Sequence, residues 1–174
     1  MRRLHEAELR NIVLGAGLLG AGGGGSTKEG MKLVDRVLEF SDGIDLITPE
    51  EVSDEAWGAV IAGMGSPIAS MTRVRTWSPL WALESLEKEL KFTSSFVIPF
   101  ELGAGNSLNP MLAAVQRKIP MIDGDPCGRA VPQVDMTTFF LGGLPVSPFA
   151  LSTEDGINVV IRTKKPSDIE RIAR

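Results

Sequence analysis

Two aspartates separated by one glycine follow the predicted strand 119–122. Residues 123–129 read Asp-Gly-Asp-Pro-Cys-Gly-Arg. Two carboxylates this close influence each other's protonation, which suits general acid or base catalysis, and they could instead bind a hard divalent cation such as Mg²⁺. Arg129 could hold a substrate carboxylate or carbonyl with two N–H groups. The alternative is a structural turn in which an aspartate accepts backbone N–H bonds.

A second polar segment follows the predicted strand 96–99. Residues 101–107 read Glu-Leu-Gly-Ala-Gly-Asn-Ser. Glu101 could act as an acid, a base or a metal ligand, and Asn106 with Ser107 could bind a substrate through hydrogen bonds. The alternative is structural: Glu101 forms an ion pair with Arg129, and Asn106 caps the helix that follows.

The richest glycine segment lies near the start of the chain. Residues 15–20 satisfy the spacing GxGxxG, which is typical of a dinucleotide site when it joins a strand to a helix. Four glycines at 22–25 interrupt that helix at once, so the spacing favours a different site. Free N–H groups at the start of the next helix attract anions, and the residues that would supply them are Gly23, Gly24, Gly25 and Ser26. Close packing of the backbone against a neighbour is the alternative.

Composition excludes several classes of protein. The 174 residues carry a net charge of −4, which disfavours a nucleic-acid binder. One cysteine, Cys127, and one histidine, His5, cannot form a disulfide framework or a structural zinc site. Without a histidine nearby in sequence, Cys127 is not expected to be a nucleophile. No apolar run approaches the ~20 residues of a membrane helix, so we expect no membrane contact. The single cysteine favours a reducing compartment, so we expect a cytoplasmic protein.

Hydrophobic periodicity predicts alternating helices and strands. This alternation predicts an α/β domain with a mainly parallel sheet and helices on both faces. Ligands bind beyond the carboxyl ends of such strands, where the loops 63–67, 101–107 and 123–132 should converge and add Gly65 and Ser66 to the site. Helices are predicted at 6–20 and 109–118 and from residues 26, 48, 78 and 167 onwards, and strands at 44–47, 59–62, 96–99, 119–122, 146–151 and 157–161.

Four segments carry a resemblance to a known family. They are residues 15–25, 63–67, 99–107 and 123–133, in this order. Together they resemble the N-terminal domain of the S-methyl-thiohydantoin desulfurase-like proteins, over roughly residues 9–160. The resemblance implies hydrolysis of a thiohydantoin-like ring, and a β-rich second domain that this chain lacks. We therefore expect residues 1–174 to form a single α/β domain, the N-terminal part of a longer protein.

These observations lead to one main functional hypothesis and two alternatives. In the first, a small hydantoin-like molecule is attacked by water that Asp123, Asp125 or Glu101 activates, directly or through a divalent metal at the two aspartates. In the second, the chain is a non-catalytic partner of a hydantoinase- or oxoprolinase-type enzyme, which Gln133 favours because relatives commonly have glutamate there. In the third, the chain binds nucleotides. A homo-oligomer is compatible with each.

Overall fold

The centre of the protein is a five-stranded sheet. The computed structural model describes residues 1–65 and 76–173. The strands lie in the order β1 (Arg2–His5), β2 (Gly43–Ile47), β5 (Met121–Ile122), β4 (Phe96–Pro99) and β3 (Gly58–Ile61). β1 runs antiparallel to β2, and the other neighbours are parallel. The predicted α/β class with a mainly parallel sheet is confirmed, although the strand β1 was not predicted.

Four long helices pack beside this sheet: α1 (Glu6–Gly20), α2 (Thr27–Phe40), α3 (Ser78–Leu90) and α4 (Leu108–Arg117). Each lies where the sequence predicts a helix. α2 begins after Ser26, whose hydroxyl accepts a hydrogen bond from the N–H of Glu29, as its capping sequence predicts. The helix predicted from residue 48 onwards is only a single 3-10 turn, Pro49–Glu51.

One face of the sheet forms the main core. The strand register puts Leu46, Met121, Val97 and Ala59 on the same face, and all four are buried in one cluster with side chains of the four long helices. Among the described residues, no side chain of the opposite face belongs to this cluster, and Val60 on that face is 40% exposed. The four long helices therefore cover one face rather than both.

Connectivity explains this one-sided layer. The strands β3, β4 and β5 follow each other in one direction along the sheet, and right-handed crossovers in one direction place their helices on the same face. The connection from β2 to β3 runs in the opposite direction along the sheet. A helix in this connection would therefore lie on the second face. That connection contains only the 3-10 turn.

The last part of the chain forms a small second cluster. The strands β6 (Phe149–Ser152) and β7 (Asn158–Ile161) pair with each other in a separate antiparallel sheet, so the two strands predicted there do not join the main sheet. The helices α5 (Thr138–Leu141) and α6 (Pro166–Ala173) flank them. Ile161, Ile169 and Val134 form the buried centre. No helix in the described ranges has the length and apolar character needed to span a bilayer.

A carboxylate from the β6–β7 turn caps α3. Glu154 accepts hydrogen bonds from the N–H groups of Thr76, Trp77 and Ser78 and from the Ser78 hydroxyl. Burial alone would raise the pKa of Glu154, but these hydrogen bonds outweigh it and lower that pKa. This contact connects the small sheet to the start of a helix that packs in the main core.

The Glu154 cap should make stability depend on pH. We expect Glu154→Gln to lower the free energy of unfolding by about 1 kcal/mol at pH 7, the usual value of a helix cap. Because the folded pKa lies below the ordinary value of about 4.3, the stabilisation is complete above that value and is lost as the pH falls through the folded pKa. Urea unfolding at decreasing pH should show wild type and variant converging in acid. A difference that persists unchanged at low pH would contradict this.

Candidate functional site

Glu101 links two of the strand-end loops. It follows β4 by two residues and is only 4% exposed. Its Oε1 accepts a hydrogen bond of 2.7 Å from the side-chain amide of Asn106, and its Oε2 accepts one of 2.7 Å from the N–H of Val131. Both carboxylate oxygens therefore bind donors of the protein itself, and the loop after β4 is tied to the loop after β5.

Asn106 extends this connection to the third loop. Its Oδ1 accepts hydrogen bonds from the N–H of Gly63, at 2.8 Å, and from the side chain of Asn109, at 3.1 Å. Gly63 lies just beyond β3. The three loops that the strand-end rule predicts to converge therefore do so at one edge of the sheet. Asn106 does not cap α4, because the residue before that helix is Ser107.

The glycine turn 22–25 packs directly on the loop after β4. The carbonyl of Gly24 accepts hydrogen bonds from the N–H groups of Gly105 and Asn106. A methyl group on Gly103 would lie 2.5 Å from the Cα of Gly24, far inside any possible contact. Gly24 itself has a φ of +68°, a conformation that glycine adopts without strain. The glycines therefore allow close backbone packing here, which was the structural alternative to an anion site.

The start of α2 faces the same place. Gly23 lies against Ala130 of the loop after β5, and Gly25 lies against the backbone of Gly105. The hydroxyl of Ser26 is occupied as the helix cap. Glu29, the third residue of α2, is buried with its carboxylate beside Gly25. Burial of an acid next to the turn could be inferred only from the packed structure.

In the loop after β5, one charged side chain is held by backbone hydrogen bonds and two are exposed. Asp125 Oδ1 accepts hydrogen bonds from the N–H groups of Cys127 and Gly128, which is the predicted structural turn. Asp123 and Arg129 are exposed. Within the described ranges neither side chain has a hydrogen-bond or ion-pair partner, so the Glu101–Arg129 ion pair considered above does not form. Both side chains are therefore accessible from solvent.

Cys127 is held as a neutral thiol. Burial, together with the negative charges of Asp125 and Glu101, raises the pKa of this thiol to about 12. Its Sγ lies 3.4 Å from the carbonyl oxygen of Met136. Because the thiolate is the nucleophile and is scarce at neutral pH with such a pKa, the expectation that Cys127 is not a nucleophile agrees with its surroundings.

Several other sequence hypotheses concern residues at or near this edge. Ser107 is buried, and its hydroxyl has no hydrogen-bond partner in the described chain. Gly65 is exposed with a φ of +132°, and Ser66 lies outside the described residues.

No three His, Cys, Asp or Glu side chains within residues 1–65 and 76–173 come close enough together to hold a metal ion. A metal ion bound by Asp123 and Asp125 would therefore need its remaining ligands from solvent or substrate.

The dinucleotide fingerprint lacks its structural context. Residues 15–20 lie entirely inside α1, which begins at Glu6. A dinucleotide site needs these glycines in the turn from a strand to a helix, where backbone N–H groups point at the pyrophosphate. In α1 the N–H groups of the glycines are used by the helix, so the nucleotide-binding alternative loses its main support.

Comparison with known proteins supports the same relationship as the motifs. The model of the family described as S-Me-THD-like, N-terminal domain, matches residues 7–163. The chain belongs to this family. The matched range of this S-Me-THD-like domain contains all three strand-end loops and the glycine turn. No curated protein is significantly similar to it in sequence.

A solved structure has the same fold as this S-Me-THD-like domain. It is the X-ray crystal structure of a protein from Chromobacterium violaceum, with a TM-score of 0.87 and 24% sequence identity. The similarity covers 100% of this chain and 50% of that one, so the S-Me-THD-like domain spans half the length of that protein. At this identity the likeness shows the fold alone.

Proposed function

We propose that this chain is the part of a hydrolytic enzyme that binds and attacks a hydantoin- or S-methyl-thiohydantoin-like ring. Membership of the S-Me-THD-like family supports the chemical class. The observation that carries the proposal is the buried Glu101, whose two oxygens bind Asn106 and Val131 and so hold strand-end loops together. A chain that only needed connectors between its strands would not require a buried carboxylate at this edge.

Asp123 is the general base of the proposed reaction. It follows directly after β5, its side chain is exposed, and no described residue pairs with it. Arg129 is likewise exposed, and its guanidinium can hold a ring carbonyl with two N–H groups. Asp125 shapes the loop between them, since its carboxylate binds the N–H groups of Cys127 and Gly128.

The proposed steps balance without an added reagent. Asp123 accepts a proton from water as the water oxygen bonds to the ring carbon that carries the S-methyl group. Negative charge develops on the ring nitrogen, close to the N–H groups at the start of α2, including Gly25 and Ser26. The electron pair on the ring nitrogen then re-forms the carbon–nitrogen double bond as the carbon–sulfur bond breaks, and the methanethiolate takes the proton from Asp123 and leaves as methanethiol. The second proton of the water moves from the new hydroxyl to the ring nitrogen, which leaves the ring as a hydantoin.

Methanethiol release tests this proposal. The purified chain is incubated with an S-methyl-thiohydantoin, and the thiol is measured with a chromogenic disulfide. Asp123→Ala should lower turnover at least ~100-fold, the lower end of what a general base contributes, while the urea midpoint stays unchanged because the side chain is exposed. Asp54→Ala, an exposed aspartate before the amino end of β3, is the matched control and should retain turnover.

Two results would argue against the catalytic role. Near-normal turnover of Asp123→Ala would remove the assigned base. A rise in unfolding temperature on adding the ring compound, without any thiol release by the wild type, would favour the alternative of a non-catalytic partner subunit. A ligand present at 100 times its dissociation constant adds about 2.7 kcal/mol of stability, which such a measurement detects readily.

A further inference from the structure

Three aspartates of this chain are each followed by a glycine: Asp42, Asp123 and Asp155. Such a pair can rearrange without a catalyst, because the backbone nitrogen of the glycine attacks the carboxyl carbon of the aspartate side chain and closes a five-membered succinimide ring. Glycine favours this step, since it has no side chain to shield the nitrogen and its backbone rotates freely. The fold decides whether the step occurs, because the nitrogen must be accessible and the carboxyl group must turn towards it.

The pair formed by Asp123 and Gly124 meets both conditions. It lies just beyond the end of β5, and both residues are exposed. Among the residues that the structure describes, no group binds the carboxylate of Asp123 or the N–H of Gly124. The N–H of Asp123 donates a hydrogen bond to the carbonyl of Ile47, which fixes the backbone before the pair but neither of the two reacting groups.

The other two pairs are restrained by their surroundings. The carboxylate of Asp42 forms an ion pair with Arg3, and Gly43 is buried within β2, which pairs with β1. In the turn between β6 and β7, the N–H of Gly156 donates a hydrogen bond of 3.1 Å to the carbonyl of Thr153. Ring closure would require these groups to give up their contacts, which costs free energy. The three pairs are therefore alike in sequence and unlike in structure.

We propose that Asp123 and Gly124 form a site of spontaneous modification, at which the folded protein slowly converts Asp123 to isoaspartate. The nitrogen of Gly124 bonds to the carboxyl carbon of Asp123, and its hydrogen leaves with the carboxyl hydroxyl as water. A second water then adds to one of the two ring carbonyls. Addition at the side-chain carbonyl restores aspartate, whereas addition at the main-chain carbonyl gives isoaspartate. No oxidant, reductant or cofactor takes part.

The modification would change the candidate site in a specific way. In isoaspartate the backbone is longer by one CH₂ group, and the remaining carboxylate is attached directly to Cα, one carbon nearer to the backbone. A displacement of about 1 Å is enough to lower turnover on the order of 100-fold. If Asp123 is the general base, methanethiol release should therefore fall as isoaspartate accumulates. This consequence rests on the proposed function, whereas the modification itself does not.

Incubation of the purified chain in water enriched in heavy oxygen tests the modification, because each reopened ring retains one oxygen of the added water. After digestion with trypsin in ordinary water, residues 119–129 form one peptide, and fragment masses locate the label within it. We expect the label at Asp123 and none at Asp125. The nitrogen of Pro126 has no hydrogen, so Asp125 cannot close the same ring and serves as a control in the same peptide.

The folded and the unfolded chain separate the effect of structure from that of sequence. Over the same period, Asp42 and Asp155 should stay unlabelled in the folded protein. In guanidinium chloride their restraints are lost, so all three aspartates that precede glycine should take up the label. Absence of label at Asp123 in the folded chain would overturn the proposal, and so would labelling of Asp42 and Asp155 at the same rate.

Gly124→Ala is the matched variant. A methyl group at Gly124 would meet only Cγ2 of Ile122, at an ordinary 3.8 Å, and the φ of Gly124 lies outside the left-handed region. The fold should therefore be retained, while the methyl group shields the nitrogen. We expect an unchanged midpoint of urea unfolding and several-fold slower labelling of Asp123. Labelling as fast as in the wild type would contradict the proposal.

Methanethiol release by the same samples is a separate readout. Release that falls with the modified fraction in the wild type, and persists longer in Gly124→Ala, would support both the modification and the role of Asp123. If fresh wild type releases no thiol, the proposed function fails, and the heavy-oxygen label still decides whether Asp123 is modified.

Discussion

Replacing Glu101 with alanine is expected to lower the free energy of unfolding by about 3–5 kcal/mol. The change removes the acceptor of two donors, the buried Asn106 amide and the half-buried Val131 N–H. Each buried donor left without a partner costs about 1–3 kcal/mol, and the space left by the side chain adds to this. Urea unfolding followed by tryptophan fluorescence measures the loss.

Two further variants separate the hydrogen bonds of Glu101 from its volume and charge. Glu101→Gln keeps the size but replaces one accepting oxygen with a donating NH₂ group. We therefore expect it to lower the free energy of unfolding by about half as much as Glu101→Ala does. Glu84→Ala removes an exposed glutamate from α3 and should change stability by no more than about 0.5 kcal/mol. If Glu101→Ala were as stable as Glu84→Ala, the carboxylate would not connect the loops as described.

Gly103→Val is expected to destabilise the protein by about 3 kcal/mol or more, at the upper end of what overpacking costs. Even a single methyl group at this position would lie 2.5 Å from the Cα and 2.6 Å from the carbonyl oxygen of Gly24. Both atoms belong to the backbone, so no side-chain rotation can relieve the overlap. The glycine turn would have to move away from the loop after β4, and the N–H groups at the start of α2 would move with it.

Gly15→Ala provides a matched control for this substitution. Gly15 lies inside α1, where a methyl group would meet nothing within 4 Å. Alanine in a helix interior is favoured over glycine by about 1 kcal/mol, so this variant should be as stable as the wild type or more stable. Both are measured by urea unfolding at one low protein concentration. Equal effects of the two substitutions would mean that the close approach of Gly103 and Gly24 is not a constraint.

The substitutions at Glu101 and Gly103 disturb the contacts between the strand-end loops and the glycine turn in different ways. Glu101 holds the loops after β4 and β5 together by hydrogen bonds, whereas Gly103 allows the glycine turn to reach them. If the proposed site is correct, both changes should also lower methanethiol release, because Asp123, Arg129 and the start of α2 would lose their common position. Asp123→Ala should instead lower release without changing stability. This difference separates residues that position the site from the one that reacts.

The sequence by itself determined much of this protein, because local rules act over a few residues. The capping sequence from Ser26 to Glu29 marked the start of α2, hydrophobic periodicity located α1 and α3, and Asn109-Pro110 marked the start of α4. The alternation of helices and strands predicted a mainly parallel sheet, and that sheet predicted where its loops would meet. The four ordered motifs identified the family. Each of these inferences depends on contacts between near neighbours or on the geometry common to all parallel sheets.

Only the tertiary structure decided which acid is buried and which faces water. Glu101 and Asp123 both follow strands closely, yet Glu101 is buried because it meets the N–H of Val131, thirty residues further along the chain. Glu154 caps a helix more than seventy residues before it, and β6 pairs with β7 instead of the main sheet. Such contacts depend on how whole elements pack against each other. The residues next to an acid in sequence therefore do not indicate a partner that lies so far away along the chain.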